Sequence, residues 1–242
     1  MKTLPEDAVL WGNALDFSAL PDTELRPLAG RAAASCLARA AECGCDVHWT
    51  NDLFWLQETL AECGDAARQW APLRAEYWPD ARSTSSILVL TANGGRQAFG
   101  AICVRRFWIE GDLGQALRTA FGAPAIFEDL VFDGDLARDV SDCHIAWACG
   151  LWRHDTLRGK RIGAELVTMA ALDALARWQW SWFLGMRRES AQQRLGLAPF
   201  DRLEARLWRR SQGVKPVQSE LVLVAGARAK IRRLQFETAG AA

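Results

Sequence analysis

Apolar positions in this chain follow two rhythms, and each predicts a different element. "ELRPLAGRAAASCLARAAECG" keeps helical spacing after Pro27 and meets a stop at Gly44. "CDVHWT" reads as a short strand, after which Thr50 or Asn51 is placed to cap a helix over "DLFWLQETLAEC" that Gly64 ends. A second helix follows over "DAARQWAPLRAEYW", weakened by Pro72 and closed by Pro79. In "SSILVLTANGGRQAFGAICVRRFWI" the rhythm changes to that of a hairpin. Ile87 to Thr91 form one arm, Gln97 to Phe107 the other, and Asn93-Gly94-Gly95 the turn.

Residues 110–140 are acidic and mixed, with a helix expected from Leu113 to Phe121. "CHIAWACGLW" carries few charges, as a central, doubly covered strand does. The segment from Ile162 to Trp178 is helical on two apolar faces. Ile162, Leu166 and Met169 make one face; Val167, Ala171, Ala174 and Trp178 make the next, so this helix should be heavily covered. "WSWFLGM" is the next strand, "ESAQQRLGL" a short helix ending at Gly196, and "EARLWRR" with "SELVLVA" a last hairpin. This order predicts an α/β (α+β) fold, a mixed sheet with helices on both faces. Residues 1–44 read as an N-terminal helical extension and 45–242 as the main domain.

Composition narrows the function. With 242 residues, half of them apolar, a buried core is easily supplied. Formal net charge is zero, so no whole-protein basic field exists for nucleic acid or anionic lipid, and the basic tail "ARAKIRRL" is short. No run approaches the roughly 18 apolar residues of a membrane span, and the first residues are too acidic for a secretory signal. A cytoplasmic protein is expected. Seven irregularly spaced cysteines fit reduced, buried thiols. Cys43, Cys45 and His48 offer three metal ligands, but no second pair completes a set, and no metal is expected. Twelve tryptophans should be core or groove-lining; they identify no ligand.

The informative stretch is "LWRHDTLRGKRIGAEL". A strand runs through two glycines and several basic residues into a helix. Unpaired N–H groups and the helix dipole make such a start an anion site. Arg158, Lys160 and Arg161 add charge, and Gly159 and Gly163 serve either close backbone approach or tight turning and packing. Neither GxxxxGK[ST] nor GxGxxG is present, which disfavours nucleoside triphosphates and dinucleotides.

This stretch resembles the acyl-CoA loop of the GCN5-related N-acetyltransferase (GNAT) superfamily, R/Q-x-x-G-x-G/A between a central strand and a long helix. Arg158 matches its first position and Gly163 its last, while Arg161 stands where the family has glycine. "ESAQQRLGLAPF" is similar to the family's later helix, with Gly196-Leu197 in place of Gly-Phe. These motifs cover residues 143–200, and the element order extends the match from Cys45 to Ala225.

The resemblance implies a GNAT-like acyl-CoA N-acyltransferase fold and acetyl-CoA, or another acyl-CoA, as cofactor. Amides of Lys160, Arg161, Ile162, Gly163 and Ala164 would hold the diphosphate, aided by Arg153, Arg158 and Gly159. Leu151 and Trp152 would pair with the pantetheine arm, and the thioester would lie where this strand parts from "WSWFLGM". The family's acid, a tyrosine, corresponds to Gln192 here, and the only tyrosine is Tyr77. A general base could come from Glu128, Asp129, His144 or His154, or direct attack by the amine could rest on proximity.

The leading expectation is acetyl transfer to a primary amine. Its alternatives are a CoA- or partner-binding domain without turnover, and an enzyme taking a longer acyl group or a carrier protein docked on Arg153, Arg158, Arg161, Arg187 and Arg188. The expected partner is a small-molecule or peptide amine, with no nucleic acid and no membrane; a homodimer is an assembly open to it.

Overall fold

A computed structural model describes residues 2–62, 81–111, 113, 139–157, 160, 162–188, 202–207 and 221–227. The helices expected over 65–78 and 189–197, and all but the first residue of that over 113–121, lie outside them, as do Tyr77 and Gln192.

Eight strands form one mixed sheet flanked by helices, as the element order predicts. They are β1 (Val9–Leu10), β2 (Cys45–Thr50), β3 (Ser85–Ala92), β4 (Ala98–Ile109), β5 (Cys143–Arg153), β6 (Trp182–Arg188), β7 (Arg202–Leu207) and β8 (Leu221–Ala227). Spatial order is β1-β2-β3-β4-β5-β6-β8-β7. Every pairing is antiparallel except β5 with β6. A parallel pair needs a crossover, and the connection holds the long helix.

The helices are α1 (Trp11–Ala14), α2 (Leu25–Glu42), α3 (Leu53–Glu62), α4 (Ala81–Thr84) and α5 (Ile162–Arg177). α2 ends where Gly44 takes a φ of 73°, a left-handed value that glycine adopts without steric cost. The cap of α3 differs from expectation. Asp52 accepts the Trp55 N–H at 3.0 Å, whereas Thr50 Oγ1 accepts the Asp52 N–H. Asp52 directly precedes the first helical residue, so its carboxylate alone reaches the third N–H of the helix.

Strand alternation sorts the core into two layers. On one face Leu88, Leu90, Ile102, Val104, Ala146 and Phe183 pack under α2 and α5. On the other Ile87, Val89, Cys103, Phe107, Ile145 and Trp147 pack with α3. α5 is covered nearly all round, as its two apolar faces require. Residues before Gly44 join the first layer through Trp11, Leu20, Leu25, Ala29, Ala33 and Cys36. Among the described tryptophans, Trp11, Trp55, Trp147, Trp152 and Trp180 are buried and Trp108 is exposed.

Asp173 of α5, fully buried, ties the amino-terminal segment to the sheet. It accepts from Trp11 Nε1 at 2.9 Å, from Ser86 Oγ and from Arg177 Nε. Arg177 in turn lies over the Trp49 ring at 4.1 Å. A buried carboxylate is tolerated because donors surround it.

Candidate acyl-donor site

β5 and β6 pair only from Ile145 with Trp182 to Ala148 with Gly185. Beyond that, β6 continues with β8 and β5 continues with β4. From Cys149 onward, the edge of β5 that faced β6 has no strand partner among the described residues. Two parallel strands that begin paired and then part leave main-chain groups of β5 outside the sheet pairing among the described residues.

A bulge sits at the point of parting. Ala101 opposes Trp152 and Cys103 opposes Cys149, so β5 carries one extra residue here. Gly150 absorbs it with a φ of 63°. The extra residue reverses the alternation: Cys149 and Trp152 both join the α3 layer. Arg153 therefore falls on the α5 side instead of the α3 side. A lone glycine in an otherwise apolar strand is the sequence signal for such a bulge.

Arg153 reaches the amino end of α5. A methyl group on Gly163 would stand 3.3 Å from its Cδ, Nε and Cζ. The side chain is exposed, and no acceptor meets it among the described residues. The N–H groups of Ile162, Gly163 and Ala164 likewise find no acceptor among the described residues. A guanidinium laid across the positive end of a helix is unfavourable alone and favourable with an anion between them.

The other site residues expected from sequence fall as follows. Leu151 is exposed and Trp152 buried, both beyond the parting point. Lys160 is exposed but engaged: its N–H donates to Leu157 O at 3.3 Å and its ammonium to Cys43 O at 3.0 Å, at the carboxyl end of α2. Arg158, Gly159, Arg161, Glu128 and Asp129 lie outside the described residues.

His154 is held locally. Its N–H donates to Phe99 O at 2.6 Å, and its Nδ1 accepts the Thr156 N–H at 3.3 Å and faces Thr156 Oγ1 at 3.0 Å. Its ring thus caps the short 3-10 turn Asp155–Leu157. His144 stacks edge-on against Trp108, with ring centroids 4.9 Å apart. It lies six residues before Gly150, roughly 20 Å along an extended strand. The structure thus does not bring the two histidines together.

Cys149 borders the parting point. Burial holds its thiol well above the ordinary range, so it is not a thiolate nucleophile at neutral pH. Among the described residues no three His, Cys, Asp or Glu side chains gather as a metal site. No helix among them is long and apolar enough to cross a membrane.

One pair was not legible in the sequence. Arg39 of α2 donates to Glu165 Oε2, in the first turn of α5, at 2.7 Å. The two are 126 residues apart, and no local pattern announces their meeting.

No protein-family model matches the sequence, and no curated protein matches it either. Solved structures are similar in fold. FeeM, an N-acyl amino acid synthase from uncultured soil microbes, is 14% identical with a TM-score of 0.42, over 75% of this chain and 93% of that one. Arabidopsis thaliana NAA60, in complex with a bisubstrate analogue, is 9% identical with a TM-score of 0.45, over 75% and 98%. A GNAT family acetyltransferase from Elizabethkingia anophelis with acetyl-CoA bound is 9% identical with a TM-score of 0.33, over 60% and 77%. These likenesses are distant.

Proposed function

We propose that the chain is a member of the GNAT superfamily and an acyl-CoA-dependent N-acyltransferase, in its simplest form transferring acetyl from acetyl-CoA to a primary amine. The observation that carries this reading is the joint placement of three features: the parting of β5 from β6, the bulge at Gly150, and Arg153 beside Gly163 at the amino end of α5. A diphosphate fits the last of these. Glycine leaves the backbone bare, the first amides of the helix meet no acceptor among the described residues, and a cation stands beside them.

In this reading the amides of Ile162, Gly163 and Ala164 bind the diphosphate with Arg153. Leu151 and Trp152 offer main-chain groups to the pantetheine amides, as a sheet edge accepts an added strand. Acyl-CoA, when bound, supplies an activated acyl group as a thioester. The residues around the parting of β5 and β6 hold that group beside the amine and keep water away, which alone contributes much of the acceleration of a two-substrate reaction.

The buried, protonated state of Cys149 favours direct attack by the amine over transfer through a cysteine. His154, whose Nδ1 is engaged, and His144, far along the strand, are poorly placed to take a proton at this site. Glu128 and Asp129 remain the proposed carboxylate candidates, with a small or peptide amine as acceptor. Cytoplasmic residence fits such chemistry.

Calorimetric titration with acetyl-CoA tests the donor site, and amine-dependent release of free CoA thiol tests transfer. Saturable binding is expected, followed by turnover with at least one class of primary amine. Absence of binding at millimolar acetyl-CoA refutes the reading. Binding without turnover across amines and acyl lengths favours a CoA-binding domain instead.

A further inference from the structure

The amino end of α5 carries a carboxylate, Glu165, within one turn of the amides that bind the diphosphate in the reading above. A carboxylate there competes with an incoming anion for the helix dipole. Glu165 and Gly163 lie about 200° apart around the helix, so Arg153 stands on one side and Glu165 on the other. Arg39 meets Glu165 from α2 at 2.7 Å, with the carboxylate side chain only 19% exposed.

The guanidinium is itself fixed. It donates to Ser35 Oγ at 2.6 Å and contacts Cys36 Sγ at 3.5 Å. The bond to Glu165 raises the Arg39 pKa further, so its charge is permanent. Nearby, Lys160 anchors the preceding loop to Cys43 O, the residue that caps the carboxyl end of the same helix. α2 thus holds the loop and the first turn of α5 by two cationic side chains.

We infer that Arg39 is a positioning residue for the donor site, one that draws Glu165 aside and cancels its charge so that the α5 amino end can accept a diphosphate. The inference rests on the donor reading above. It makes α2 part of the donor site's electrostatics.

The test is calorimetric titration of CoA into the full chain at ionic strengths of about 0.01 M and about 1 M, where charges reach roughly 30 Å and 3 Å. Glu165→Gln breaks the ion pair yet removes the competing charge. It should bind CoA roughly threefold tighter than wild type at low salt, with the gain lost at high salt. Arg39→Met leaves Glu165 unpaired and should bind roughly fivefold weaker at low salt. Arg39→Lys should stay near wild type, and the double variant Arg39→Met/Glu165→Gln should return to within about twofold of it.

A purely structural pair predicts the opposite for Glu165→Gln, weaker binding at both salts, and that result overturns the inference. So does an Arg39→Met protein that binds like wild type. If Arg39→Met does not fold, the sign of the Glu165→Gln effect still decides. A wild-type chain that binds no CoA overturns the donor reading and this inference with it, whereas wild-type binding with unmoved variants overturns the inference alone.

Discussion

Replacing Gly163 with alanine adds one methyl group at the second residue of α5, and the structure predicts opposite effects on stability and on donor binding. A helical Cβ tilts toward the amino end of its helix, here toward Arg153. The new atom would stand 3.3 Å from Arg153 Cδ, Nε and Cζ, a few tenths of an ångström too close. Arg153 is exposed and held by no described acceptor, so it can swing away at little cost. Alanine is about 0.8–1 kcal/mol better than glycine inside a helix, and near the first turn a net gain of about 0.5 kcal/mol is expected.

Binding should move the other way. The methyl covers the approach to bare amides and displaces the guanidinium. One lost hydrogen bond to a charged group is worth about 1.5–3 kcal/mol, which is on the order of tenfold or more in Kd. Urea denaturation and CoA titration on the same protein give both numbers. Stability and affinity falling together would mean that Gly163 serves only packing. A stabilised variant with unchanged affinity would mean that no anion binds at this helix end.

Three further outcomes follow from the core. A Cβ at Gly100 would meet Trp152 O at 3.0 Å and could not be relieved by a side chain, so Gly100→Ala should cost about 1–3 kcal/mol in urea and weaken CoA binding by moving the end of β5; unchanged stability would contradict the pairing at the bulge. Asp173→Ala strands the Trp11, Ser86 and Arg177 donors and should cost about 3–5 kcal/mol, read as a lowered urea midpoint; a loss under about 1 kcal/mol would show that the network contributes little. Burial, and next the charge of Glu165, push the Cys36 thiol from 9.0 up to about 12. The unfolded chain therefore loses this proton first as pH rises, and the associated stability, complete below pH 9.0, is lost between there and about 12. Stability of wild type minus that of Cys36→Ala should fall with pH in that window, at up to about 1.4 kcal/mol per unit, and a flat difference would refute the burial argument.

Local pattern determined much of this protein. The spacing of Ile162, Leu166 and Met169 placed α5 and foretold its coverage on both faces. The uncharged run from Cys143 placed β5 at the centre of the sheet, and Gly44 marked the end of α2. Arg153 and Gly163 were legible as the flanks of a strand-to-helix turn, because one short segment of sequence carries both. Periodicity and turn chemistry act over a few residues, so the sequence carries them openly.

What joins distant residues was decided only in three dimensions. One left-handed glycine, Gly150, shifts the parity of β5 and turns Arg153 from the α3 face to the α5 face. Lys160, read from sequence as one of the cations around the anion loop, instead gives its ammonium to Cys43 O at the carboxyl end of α2, the negative end of that helix. Arg39 and Glu165 meet across 126 residues because two helices pack on the same face of the sheet. A sequence specifies such pairs through the whole fold, since neither partner has a local reason to expect the other; register, strand parting and helix packing bring them together.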